Sequence, residues 1–120
     1  MLTAIGKELR KLRIEREERL QDMADTLGIS PAFLSAVEIG HKSPPDDFAE
    51  RIIKAHGLKG DEAESVVRAV DRSRKTFRLT PASPVAHDTA GLLARKFNTL
   101  SDEQLQHIRL VLRGKEAKTK

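Results

Sequence analysis

The sequence predicts an all-α protein, with five short helices over residues 1–73, followed by a short strand and two further helices. Three observations carry this. Apolar residues recur at three- and four-residue steps along nearly the whole chain, the period of a helix with one buried stripe. Ser-Pro pairs and glycines punctuate those stripes where helices start and stop. Only Lys75 to Thr80 shows the alternation of a half-buried strand.

The first helix carries Leu2, Ile5, Leu9 and Leu12 on one face and Lys7, Arg10, Lys11 and Arg13 elsewhere. A mixed-charge bend, Glu15 to Arg19, follows it. Leu20, Met23, Ala24 and Leu27 form a second, shorter stripe, which Gly28 ends as a residue that tolerates left-handed backbone. Ser30-Pro31 opens a third helix with an N-cap hydroxyl and a ring pre-set for the first turn. Leu34 and Val37 turn that helix inward, and Gly40 closes it. After a loop from His41 to Pro45, Asp46 or Asp47 caps a fourth helix bearing Phe48, Ile52, Ile53 and Ala55, stopped at Gly57. Asp61 and Glu64 form a capping pair for a fifth, carrying Ala63, Val66, Val67 and Val70.

Beyond residue 73 the pattern changes. In KTFRLT (75–80), Phe77 and Leu79 share one face of the short strand. Ser83-Pro84 repeats the cap-plus-proline start and leads into a stripe of Ala86, Ala90, Leu93 and Phe97. Ser101 and Gln104 form a capping box, Leu100 staples onto Leu105, and Leu105, Ile108 and Leu112 continue a seventh stripe. Three regions follow: 1–73, 74–113, and a basic, frayed tail at 114–120.

Composition narrows the function classes. With 38% hydrophobic and 33% charged residues the chain is a globular domain, and no apolar run approaches the length of a membrane span. No signal-peptide pattern opens it, so a cytoplasmic location without membrane contact is expected. Cysteine is absent, which removes disulfides, thiol catalysis and cysteine-ligated metals. A net charge of +4 suits a polyanionic partner, and the lack of Trp and Tyr disfavours stacking platforms for single strands. His41, His56, His87 and His107 show no metal-ligand spacing. No glycine-rich phosphate loop, nucleophile elbow or H-E-x-x-H is present. Neither an enzyme nor a cofactor is expected.

Residues 19–42 read R-L-Q-D-M-A-D-T-L-G-I-S-P-A-F-L-S-A-V-E-I-G-H-K. This string resembles the phage-repressor-like (Cro/XRE) helix-turn-helix family. Gln21 stands at the family's glutamine opening the second helix, Ala24 at its small packing residue and Gly28 at its turn glycine. Ile29, Ser30, Leu34, Val37, Glu38 and Gly40 match the apolar turn position, the cap, the buried face of the third helix, and the acidic residue and glycine after it. The likeness covers about residues 2–58. It implies a five-helix repressor-like domain at 1–73 that binds double-stranded DNA.

The physics of each match agrees. Ala24 is small because two helices cross there, and a larger side chain would overpack the crossing. Gly28 supplies the turn between them. The resemblance places Ser30, Pro31, Ala32, Phe33, Ser35 and Ala36 on the recognition helix, facing bases. None of Pro31, Ala32, Phe33 and Ala36 can make a bidentate hydrogen bond, so readout leans on Ser30, Ser35, thymine methyls and DNA shape. Phe33 either meets DNA or packs on the scaffold. Phosphate contacts fall to Arg13, Gln21, His41, Lys42 and Ser43, with Lys42 alternatively a solvated lysine. Arg13 and Glu38 are expected to form a partly buried ion pair.

The resemblance implies a transcription regulator, a repressor acting as a homodimer on a near-palindromic operator. The alternative is the antitoxin of a toxin–antitoxin pair that also represses its own operon, with a protein toxin as partner. In the first case the apolar stripes beyond residue 73 bury against a second copy through Phe77, Leu79, Leu93, Phe97, Leu105, Ile108 and Leu112, and the strand pairs across the two-fold axis.

Overall fold

The computed structural model describes residues 1–118, with side chains through Gly114. Among them are seven α-helices: α1 Ala4–Arg16, α2 Leu20–Leu27, α3 Pro31–Glu38, α4 Phe48–His56, α5 Gly60–Arg72, α6 Pro84–Lys96 and α7 Asp102–Lys118. A short 3-10 turn, Phe97–Thr99, follows α6. The chain divides into two compact units, Met1–Phe77 and Arg78–Lys120.

The first unit is built around one core. Ile5, Leu9 and Leu12 of α1 meet Met23, Ala24 and Leu27 of α2, Leu34 and Val37 of α3, and Phe48 and Ile52 of α4. Leu58, Val66, Ala69 and Val70 complete it from the α4–α5 turn and α5. Helix α1 packs on α3 and α5, α2 packs on α3 and α4, and α4 packs on α5. Most of each expected stripe is thereby buried or half-buried, at about 1.5–3 kcal/mol per large side chain removed from water. Ala55 and Val67, expected on the stripes of α4 and α5, are instead exposed, because they fall at the edge of the buried face.

Local chemistry sets most helix ends. The Ser30 hydroxyl accepts from the Phe33 N–H at 3.0 Å, with Pro31 in the first turn. Gly28 adopts φ +73°, a left-handed conformation that a side chain would strain, and lets the chain turn from α2 into α3. Two expected caps differ. Asp47 occupies the N-cap of α4 but makes no cap bond; its carboxylate takes Arg51 Nε at 3.0 Å instead, an ion pair within the helix. Helix α5 begins at Gly60 behind Lys59, so Asp61 and Glu62 lie inside its first turn, where they complement the helix dipole rather than cap it.

In the second unit both predicted caps form. Ser83 accepts from Ala86 N–H at 3.1 Å, and Ser101 and Gln104 exchange bonds of 3.1 and 2.9 Å. The expected strand is absent: residues 75–80 are irregular, and no strand occurs among the described residues. A strand needs a neighbour to receive its N–H and C=O groups, and a chain that is otherwise helical supplies none. Phe77 and Leu79 are accordingly exposed. The tail expected from Gly114 is also different, since α7 continues through Gly114 to Lys118; Thr119 and Lys120 lie outside the described residues. No helix among the described residues is long and apolar enough to cross a membrane.

Candidate nucleic-acid interface

The surface around α3 is assembled from three directions. Leu34 and Val37 are buried and fix the helix to the core, while Ser30, Pro31, Ala32 and Ser35 stand exposed. Ala36 is half-buried. Phe33 is also half-buried and packs on the core, so its ring is shared between scaffold and surface. Gln21 is exposed in the first turn of α2, and His41, Lys42 and Ser43 are exposed just after α3. The structure thus brings the α3 positions, Gln21 and the 41–43 loop onto elements that adjoin one another.

Arg13 lies beneath this surface. Its Nη1 donates to Glu38 Oε2 at 2.5 Å and its Nη2 to Oε1 at 3.2 Å, a bidentate pair. Nη1 also reaches Met23 Sδ at 3.4 Å. The two side chains are 10% and 5% exposed, so Arg13 braces α1 against α3 and presents little guanidinium surface outward.

Other residues that hold α3 were not singled out from the sequence. Glu38 O, at the end of α3, accepts from Thr3 N at 2.9 Å and from Thr3 Oγ1 at 3.0 Å. That hydroxyl accepts in turn from Gly6 N–H at 3.1 Å and caps α1. The backbone of α3 comes so close that a Cβ on Gly6 would lie 2.3 Å from the same carbonyl oxygen. A glycine in the first turn of a helix, where alanine is the better helix former, was the available signal.

A second brace sits at the bend between α1 and α2. Glu17 takes the left-handed conformation at φ 54°, and the flanking side chains both turn to the end of α4. Arg16 Nη2 donates to His56 O at 2.8 Å, and Glu18 Oε1 lies 3.2 Å from His56 Nε2. His56 Nδ1 faces Ile52 O at 3.2 Å, and the His56 side chain is 3% exposed. Replacing His56 by alanine is expected to cost about 2–3 kcal/mol, the scale of a buried hydrogen bond to a charged group plus lost packing. Urea denaturation checks this as a lower midpoint at constant m; a change under about 0.5 kcal/mol would leave the brace without energetic weight.

Among the described residues no group of three or more His, Asp or Glu is placed to hold a metal ion. The family described as a helix-turn-helix domain has a sequence model that matches residues 4–66. No curated protein matches the chain, and no solved structure does either. The matched span covers more than half of the chain and contains α1 through most of α5, the unit whose geometry is described above. The chain therefore belongs to the helix-turn-helix domain family.

Proposed function

We propose that this chain is a transcription regulator that binds double-stranded DNA by laying α3 in the major groove, with no catalytic role of its own. The observation that carries the reading is the division of α3 into a buried edge, Leu34 and Val37, and an exposed edge, Ser30, Pro31, Ala32 and Ser35. A rigid helix offering such an edge fits a groove about 12 Å wide. Gln21 at the start of α2 and His41, Lys42 and Ser43 after α3 are assigned to phosphates, with Arg13 acting through its brace on Glu38.

The base-facing edge is poor in hydrogen-bonding side chains. Single base-pair changes in a half-site are therefore expected to cost no more than about 1–3 kcal/mol each, and a series with larger penalties would contradict the assignment. Duplex binding should weaken linearly in log–log with salt, with a slope near −0.9 per phosphate held. Binding that ignores salt would overturn the reading.

Repression by a homodimer on a near-palindromic operator is the finer proposal. It is supported by the second unit, where no residue from Arg78 to Gly114 is buried. Leu93, Leu105 and Ile108 are half-covered, while Phe97 and Leu112 are more than half exposed, as are Phe77 and Leu79. Such stripes gain cover from a second copy. Sedimentation at micromolar concentration should give twice the 13.4 kDa chain mass, and footprinting should show two patches about 10 bp apart. A monomer would overturn the dimer.

A further inference from the structure

The segment between α3 and α4 carries His41, Lys42 and Ser43, and local backbone hydrogen bonds hold it at both ends. His41 N and Lys42 N donate to Ala36 O at 2.8 and 3.2 Å, and Phe48 N donates to Pro45 O at 3.1 Å. One tether comes from far along the chain. Arg74 Nη2 donates to Pro45 O, and Nη1 lies 3.4 Å from Asp46 Oδ1. The Arg74 side chain is 12% exposed, although it follows the last helix of its unit and belongs to no core stripe.

The residue before it explains how Arg74 is aimed. Ser73 Oγ donates to Ala69 O at 2.8 Å and accepts from Ile5 N–H at 3.1 Å, tying the end of α5 to the start of α1. From that fixed point one planar guanidinium reaches two successive loop residues, which sets the loop's orientation as well as its position. It also places a positive charge beside Asp46.

We infer that Arg74 is a positioning residue for DNA binding: it holds the 41–45 loop in the shape that presents Lys42 and its neighbours to phosphate. The inference rests on the DNA-binding reading above. It also gives the chain just before the second unit, which starts at Arg78, a direct hold on the DNA-facing surface.

The test uses the full chain as wild type, Arg74→Met, Arg74→Lys, Lys42→Ala, and Lys42→Ala combined with Arg74→Met. Amide exchange is followed in the free proteins, and affinity for a mixed-sequence duplex is measured across a salt series. In Arg74→Met the amides of Lys42 and Phe48 should exchange about tenfold faster, while those of Leu9 and Leu34 stay within about twofold. Near 0.1 M salt its affinity should fall about three- to tenfold, with the salt slope shallower by about 0.9. Arg74→Lys should recover part of this, and Arg74→Met should cost markedly less in the Lys42→Ala background than in the wild type.

Unchanged loop exchange overturns the proposal, as does equal acceleration of loop and core amides or an undiminished loss in the Lys42→Ala background. A wild-type chain that binds no duplex at any salt concentration overturns the DNA-binding reading, and this proposal with it. A wild type that binds, matched by an Arg74→Met variant that binds identically, overturns this proposal alone.

Discussion

Gly6→Ala should lower the stability of the first unit by about 3 kcal/mol, the upper end of the range for overpacking a close contact. By helix propensity alone the same change should stabilise α1 by about 1 kcal/mol, so the predicted sign is opposite to the local expectation. The difference comes from one carbonyl. The added Cβ would lie 2.3 Å from Glu38 O and 3.0 Å from its carbon, and both belong to backbone, which cannot swing aside as a side-chain end would. To relieve the contact α1 and α3 must separate, which also breaks the bonds from Thr3 N and Thr3 Oγ1 to that carbonyl. Thermal unfolding is the check. For a unit of this size, about 3 kcal/mol corresponds to a fall of more than about 12 °C in Tm. An unchanged or raised Tm would show that the two helices are free to move apart. DNA affinity should drop as well, since the end of α3 is what the contact holds.

The second large effect concerns Arg13 and Glu38. Replacing either alone, as Arg13→Met or Glu38→Leu, is expected to cost about 3–5 kcal/mol, because the partner is left without its counter-group in a site nearly closed to water. Replacing both with those apolar side chains should cost much less than the sum. The double-mutant cycle should therefore return a coupling of at least about 2 kcal/mol. Burying two charges is itself expensive, so the pair's net worth over an apolar contact is small even though each half depends on the other. Urea midpoints of the four proteins test this. Additive losses would mean that the two groups act independently and that the bidentate geometry carries no special weight.

Much of this architecture is legible in the sequence because short-range rules dominate it. Leu34 and Val37 at three-residue spacing announce the buried edge of α3, and Ser30-Pro31 and Gly28 announce its start and the turn before it. The Ser83 and Ser101 caps lie within three residues of their partners, so local sequence suffices for them too. The misses share a cause. Asp47 could cap α4 or pair with Arg51, and spacing alone does not choose between two partners equally near. The 75–80 segment has a strand's residues but finds no strand beside it.

Residue order alone specifies an all-α chain, the limits of α2 and α3, and an α3 edge poor in hydrogen-bonding side chains, and the family resemblance adds the Arg13–Glu38 pairing. The first three follow from periodicity, capping chemistry and the residues of 19–42, whereas the pairing joins α1 to α3 and is implied by the resemblance alone. The assembled fold is needed to show that Gly6 is where two backbones meet, that His56 closes on Glu18 and Arg16, and that Arg74 reaches back to Pro45 and Asp46. The physical reason is sequence distance. These contacts join residues 28 to 40 positions apart or, at Gly6, a glycine to a distant carbonyl. Their partners are backbone oxygens or carboxylates of common types, which carry no residue-specific signal until the fold brings them together.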